Sequence, residues 1–190
     1  MVLVREENFM HGYNAKDLAR SFRTVRNNTI QIAEDIPEDK YGFRPAEGTR
    51  TVAETLAHLA TATGWNQAFH GEGLTTTDFN WFMGAMQKAA AEAATLTTKA
   101  SLVQALRQKG EEFAGWLETL SDDVLAEVVT YPAGMQPPTK TRFEMLLGPK
   151  EHEMHHRAQL MTIERMLGIT PHLTRAQQER MAQMQQPAAR

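Results

Sequence analysis

The chain has 190 residues, no cysteine, and a formal charge of -3 from 20 Lys and Arg against 23 Asp and Glu. That length is enough for one domain with a substantial core. The absence of cysteine excludes disulfides, thiolate metal ligands and a protein thiol nucleophile, and the charge balance argues against a general nucleic-acid binder.

Residues 1–13 read as a lead-in, with no apolar run followed by a small-residue cleavage site, so no secretory signal is expected. No run of about 18 apolar residues occurs, so no membrane-spanning helix is expected, and the default location is cytoplasmic. Asn14 is placed to cap a first helix to about Glu34, with Leu18, Phe22, Val25, Thr29, Ile32 and Ala33 at three- and four-residue spacing. Pro37, Gly42 and Pro45 then make a loop, with Tyr41 and Phe43 as its apolar anchors. Thr51-Val52-Ala53-Glu54 has the form of a capping box and opens a helix expected to reach His70, with His58 on its second turn facing Thr55, Ala62, Trp65 and Phe69. Gly71 to Thr77 is a turn. Asp78 caps a short, Ala-rich helix to about Ala94, expected to be peripheral or part of a lid. Ser101-Leu102-Val103-Gln104 reads as a second capping box, opening a helix to about Leu120. Ser121-Asp122-Asp123 starts a turn, and Val128 to Tyr131 is the only expected strand. Pro132, Gly134, Pro137 and Pro138 mark a loop.

Thr141-Arg142-Phe143-Glu144 is a third capping box. Its helix must pass Gly148-Pro149, where proline lacks a donor and crowds the preceding turn, so a kink or fresh start is expected before a segment from Lys150 to Leu167. Gly168 ends it. Thr174 is placed to cap a last helix to Met184, and Gln183 to Arg190 reads as a frayed tail. Residues 14–186 thus form one helical domain. Four long amphipathic helices and almost no strand predict an all-α, antiparallel four-helix bundle with additional short helices.

The chemistry concentrates in Glu151-His152-Glu153-Met154-His155-His156-Arg157-Ala158-Gln159. A helix turns about 100° per residue, so His152 and His156 lie about 40° apart, one turn from each other. Met145, Gln159, Leu160, Ile163 and Leu167 share or approach that face, while Arg157, Glu164 and Arg165 fall away from it. The pair points to the core, as two metal ligands or as two histidines satisfied by hydrogen bonds. His155 sits at the edge of the face, as a flank residue or beside the ligands. Gln159 lies between the pair in angle and is placed to hold a ligand or a water. Both are the catalytic candidates. His11, His70 and His172 read as surface residues. His152-Glu153-Met154-His155-His156 also matches the H-E-x-x-H pattern of zinc proteases. Against that reading, Glu153 falls off the core face and the chain has almost no strand to bind a peptide.

The loop Ile36 to Pro45 with Thr51 to Leu59, the stretch from Leu117 to Leu125, and Glu151 to Leu160 together resemble the DinB family of DinB/YfiT-like metalloenzymes, over roughly residues 14–168. Ala158 stands where members often have Gly. The resemblance implies a four-helix bundle that binds a divalent metal through His58, His152 and His156. It also implies activities such as transfer of a small-molecule thiol to an electrophile or isomerisation of maleylpyruvate. Three imidazoles suit Zn, Ni, Cu or Fe, with Zn or Ni expected here. Three protein ligands leave a coordination position open, where a thiol or water loses its proton easily. The expected function is metal-dependent transfer of a small-molecule thiol. A metal-dependent hydrolase on the same three histidines and a non-enzymatic metal or small-molecule binder are the alternatives. Small-molecule substrates are expected to enter past Tyr41, Phe43 and the loop 131–138. Phe79, Trp81, Phe82, Met83 and Met86 expose more apolar surface than one helix face can bury, which points to a homodimer.

Overall fold

The computed structural model describes residues 12–185. The expected lead-in, apart from residues 12 and 13, lies outside the described residues, as do His11 and the tail from 186 onward. The elements are α1 (Ala15–Asp35), α2 (Val52–Thr61), α3 (Gly64–Gly71), α4 (Phe79–Ala93), α5 (Lys99–Glu118), α6 (Asp122–Ala126), β1 (Val128–Thr130), β2 (Thr139–Thr141), α7 (Arg142–Met166) and α8 (His172–Met184). A single 3-10 turn, Glu38–Lys40, sits in the connection after α1.

The four helices of the bundle, α1, α2, α5 and α7, all start on capping boxes. Asn14 pairs with Asp17, Thr51 with Glu54, Thr98 with Ser101 and Thr141 with Glu144. Each side-chain cap satisfies donors that the helix leaves open and is worth about 1 kcal/mol. The α5 box lies one turn earlier than the sequence pattern suggests. Thr98 is the cap, and Ser101 is the residue that reaches back.

α1 packs against α5 and α7, and α2 packs against the same two helices. The consecutive helices α1 and α2 therefore stand on a diagonal of the bundle. The connection between them is tied down as it crosses. Tyr41 Oη donates to Ala33 O at 2.6 Å, Ala53 N donates to Tyr41 O at 2.9 Å, and Lys99 Nζ donates to Ile36 O at 2.7 Å. Apolar side chains form two clusters. One gathers Ile32, Ile36, Leu56, Leu59, Leu106, Leu160 and Ile163. The other gathers Leu18, Phe22, Phe113, Leu117 and Leu146, with Phe22 and Phe113 edge to face at 4.9 Å.

Several elements differ from the sequence expectation. The second helix breaks at Ala62 and Thr63 into α2 and α3 instead of running on to His70. The expected strand does form, and it pairs antiparallel with Thr139–Thr141, so the Pro-rich loop is the tip of a hairpin. Residues 121–126 make a short helix. α7 runs unbroken through Gly148-Pro149 for 25 residues. α8 begins at His172, and Thr174 accepts a hydrogen bond from Arg165 instead of capping it. The largest departures are on α7, where Glu153 and Glu164 are 1% and 0% exposed although a helical wheel turns both outward. The wheel describes one apolar stripe, whereas α7 is covered by α1 on one side and by α2 on another.

Candidate metal centre

α2 and α7 bring three rings together. His58 stands on α2, and His152 and His156 stand one turn apart on α7. Their ring centroids are 4.7, 4.8 and 5.0 Å apart, and one nitrogen from each lies within 4.8 Å of the others. His58 Nε2 and His152 Nε2 are 2.9 Å apart, a distance that needs one shared proton or a shared cation between two lone pairs. Ligand nitrogens on a tetrahedral ion about 2.0–2.1 Å away stand roughly 3.3 Å apart, so small ring rotations make this set a fit for a divalent cation.

The electrostatics agree with that donor set. Burial, then the Arg50 guanidinium, then the neighbouring rings push His58 down to about 4. Burial, with His156, His155 and Arg50 behind it, takes His152 to about 4. His156 is lowered by burial and opposed by its bond to Gln159. Neutral imidazoles with free lone pairs are what a metal ligand requires.

Gln159 orients this set. His156 Nδ1 donates to Gln159 Oε1 at 2.8 Å, and Gln159 Nε2 donates to His155 Nε2 at 3.1 Å. The first bond places the His156 proton on Nδ1 and leaves Nε2 as the donor atom, the usual role of a group behind a metal ligand. His155 itself is exposed, packs edge to face on His156 at 4.9 Å and is hydrogen-bonded to Gln159.

His58 and His152 open onto a cavity of about 960 Å³ that is also lined by Arg50, Trp65, Phe82 and Lys140, among others, while His156 stands behind them. Tyr41 and Phe43 are not at its mouth as expected. Tyr41 is buried in the core, and the walls come from α2, α3, α4, the hairpin and the first half of α7. α4 is thus a wall of the cavity, through Phe82, Met86 and Ala93. Its face still leaves Phe79 69% exposed.

Arg26, which the sequence reading missed, and Glu153, which it placed off the core face, are both buried beside the site. Arg26, on α1, is 2% exposed and binds Glu153 through Nε at 2.8 and 3.0 Å. Its other nitrogens donate to Leu106 O and Leu59 O, each at 3.0 Å. Glu153 is therefore spent on an ion pair and is not free to act as the general base of a zinc protease. An arginine amid an apolar stripe was the only signal for this pair. His70 is also buried, not at the surface. Its Nδ1 accepts from Arg142 Nη1 at 3.0 Å, and burial lowers it to about 4. His172 is half-buried against Asn28.

The family model described as the DinB superfamily matches residues 21–160. No curated protein matches the chain. Among solved structures, a DinB-like protein of Bacillus subtilis is 24% identical with a TM-score of 0.61, over 80% of this chain and 92% of that one. YfiT from Bacillus subtilis, described as a probable metal-dependent hydrolase with an unusual four-helix bundle topology, is 16% identical with a TM-score of 0.61, over 82% and 89%. A DinB family protein from Exiguobacterium sibiricum is 22% identical with a TM-score of 0.58, over 81% and 91%.

Proposed function

This chain belongs to the DinB superfamily, and on that footing we propose that it is a metalloenzyme that transfers a small-molecule thiol to an electrophile, with His58, His152 and His156 as ligands of a divalent ion, Zn or Ni. The observation that carries the reading is the convergence of three imidazoles from two helices on one point, two of which, His58 and His152, line one wide cavity. A divalent ion held by neutral ligands supplies Lewis acidity that lowers the pKa of a thiol or water beside it.

The chain's own residues do the rest. With no cysteine present, the thiol comes from outside, and a cavity of about 960 Å³ has room for it together with its partner. Among the described residues, Arg50 and Lys140 line that cavity without a carboxylate in ion-pair contact, whereas Glu54 and Glu144 there are engaged in helix caps. Arg50 and Lys140 give the wall two cations that can attract an anionic group such as a thiolate, with the Glu151 carboxylate on the same lining opposing them. Trp65, Phe82 and Met86 make an apolar side that excludes water. Gln159 fixes the tautomer of His156 and connects it to His155, which is placed to pass protons outward.

A hydrolase on the same ligands is the second reading, favoured by the description of the YfiT neighbour. Elemental analysis of untagged protein, followed by assays with thiols plus electrophiles and with esters and amides, separates the two. Transfer that survives complete metal removal would refute the proposal. Metal-dependent ester or amide cleavage with no thiol turnover would replace it with the hydrolase. The exposed Phe79, Phe82 and Met83 of α4 further support a homodimer, which sedimentation tests against a monomer of 21.4 kDa.

A further inference from the structure

Arg26 links the four helices of the bundle, α1, α2, α5 and α7. It stands on α1, holds Glu153 of α7 with two bonds from Nε, and donates to Leu59 O of α2 and Leu106 O of α5. Two of these partners directly follow site histidines in the chain, Leu59 after His58 and Glu153 after His152. Leu59 O lies in the last turn of α2, where the break at Ala62 and Thr63 removes the backbone donor that a continuing helix would supply. α5 makes room for the guanidinium stem. A Cβ on Gly110 would stand 2.7 Å from Arg26 Cγ and 3.2 Å from Cδ. The pair also lines the cavity onto which His58 and His152 open.

We propose that Arg26 and Glu153 are positioning residues of the histidine site, and that their bonds set the distance between His58 on α2 and His152 on α7. This proposal rests on the reading of the three histidines as a metal site. The physical reason is geometric. Neither α2 nor α7 carries a bond of its own that fixes its neighbour at this level, except the His58–His152 contact itself. A planar guanidinium with donors in fixed directions can hold a carboxylate and two carbonyls at once, which a lysine ammonium on a flexible stem cannot do in the same geometry.

The test is a paired substitution, Arg26→Met with Glu153→Leu. Replacing a buried ion pair by apolar groups of similar size commonly leaves stability intact, so the expected cost is that of the Leu59 carbonyl, which loses its donor, and thermal unfolding reads that cost while the spacer is lost. Three measurements are made on the untagged full chain: thermal unfolding, cobalt(II) affinity with its visible spectrum, and the imidazole proton NMR signals of the metal-free protein. The expected result is a folded protein that binds cobalt at least tenfold more weakly with an altered spectrum, and in which the proton shared by His58 and His152 is lost or shifted. Gly110→Ala, which displaces Arg26 from a helix that supplies no ligand, is expected to weaken cobalt binding in the same direction. Arg26→Lys, which keeps the charge, is expected not to restore wild-type affinity.

A folded double variant with wild-type cobalt affinity, spectrum and imidazole signals would overturn the proposal. So would wild-type behaviour of Arg26→Lys, because charge alone would then be sufficient. If the double variant fails to fold, Gly110→Ala and Arg26→Lys decide. If the wild-type protein binds no cobalt, zinc or nickel, the metal reading fails, and the imidazole signals alone decide whether Arg26 and Glu153 set the ring separation.

Discussion

Glu153 and Glu164 sit on the same helix, three turns apart and about 20° apart around its axis, and each is almost wholly buried. Their surroundings differ. Glu153 receives two bonds from Arg26, and the polar groups around it are matched. Among the described residues, neither carboxylate oxygen of Glu164 has a hydrogen-bond partner, and burial, with Asp35 adding to it, raises its pKa to about 7 against the weaker pull of Arg175 and Arg165. Arg175 is committed instead to Asp35, at 2.6 Å. Helix position and burial are nearly the same for the two glutamates. The presence of a partner from another helix makes Glu153 one half of an ion pair beside the histidine site, and its absence leaves Glu164 with a pKa raised to about 7.

The comparison can be tested from either end. The largest effect is expected in the matched half, where His156→Ala should abolish metal retention and turnover together while the bundle stays folded. Metal analysis beside circular dichroism checks this, and retained metal would remove His156 from the site. Next, Glu153→Gln leaves the Arg26 charge buried and unpaired, which should cost about 3–5 kcal/mol of stability. Denaturant unfolding reads this directly, and a loss under 1 kcal/mol would mean that Arg26 finds another partner. Gln159→Ala removes the acceptor behind His156 and should weaken metal binding by about 10–100-fold with little change in stability, as a chelator competition would show.

The smallest effect lies in the unmatched half. The folded-state pKa of Glu164 is raised, so the folded protein keeps this proton longer than the unfolded chain does. Its contribution to stability is present at low pH and is lost as pH rises from the ordinary carboxylate value through about 7. His58, His70 and His152, lowered to about 4, act in the opposite sense. Their contribution is present above the ordinary histidine value and is lost as pH falls toward 4. Glu164→Gln, which resembles the protonated form, should therefore stabilise the protein at pH 8 by roughly 1–3 kcal/mol and should gain little at pH 5. Equal shifts at both pH values would show that Glu164 is paired in solution.

The amino-acid sequence by itself determined the helices, most of their caps, and the fact that His152 and His156 share one face. Those features depend on contacts three or four residues apart, and Asn14, Thr51, Asp78 and Thr141 all cap where their patterns place them. The short strand Thr139–Thr141 was marked only by two β-branched threonines and went unread, because a strand of three residues exists by virtue of its partner. The break after Thr61 carries no proline, and the tertiary structure decided it, with Arg26 holding the carbonyl of Leu59 that the break leaves open. The meeting of His58 with a pair 94 residues later came from family resemblance, since helical periodicity says nothing about which helices are neighbours. The same limit hid Arg26, Glu153 and Glu164. A wheel assigns charged residues to solvent, and only the packing of α1 against α7 and of α2 against the same helix shows that these charges have none.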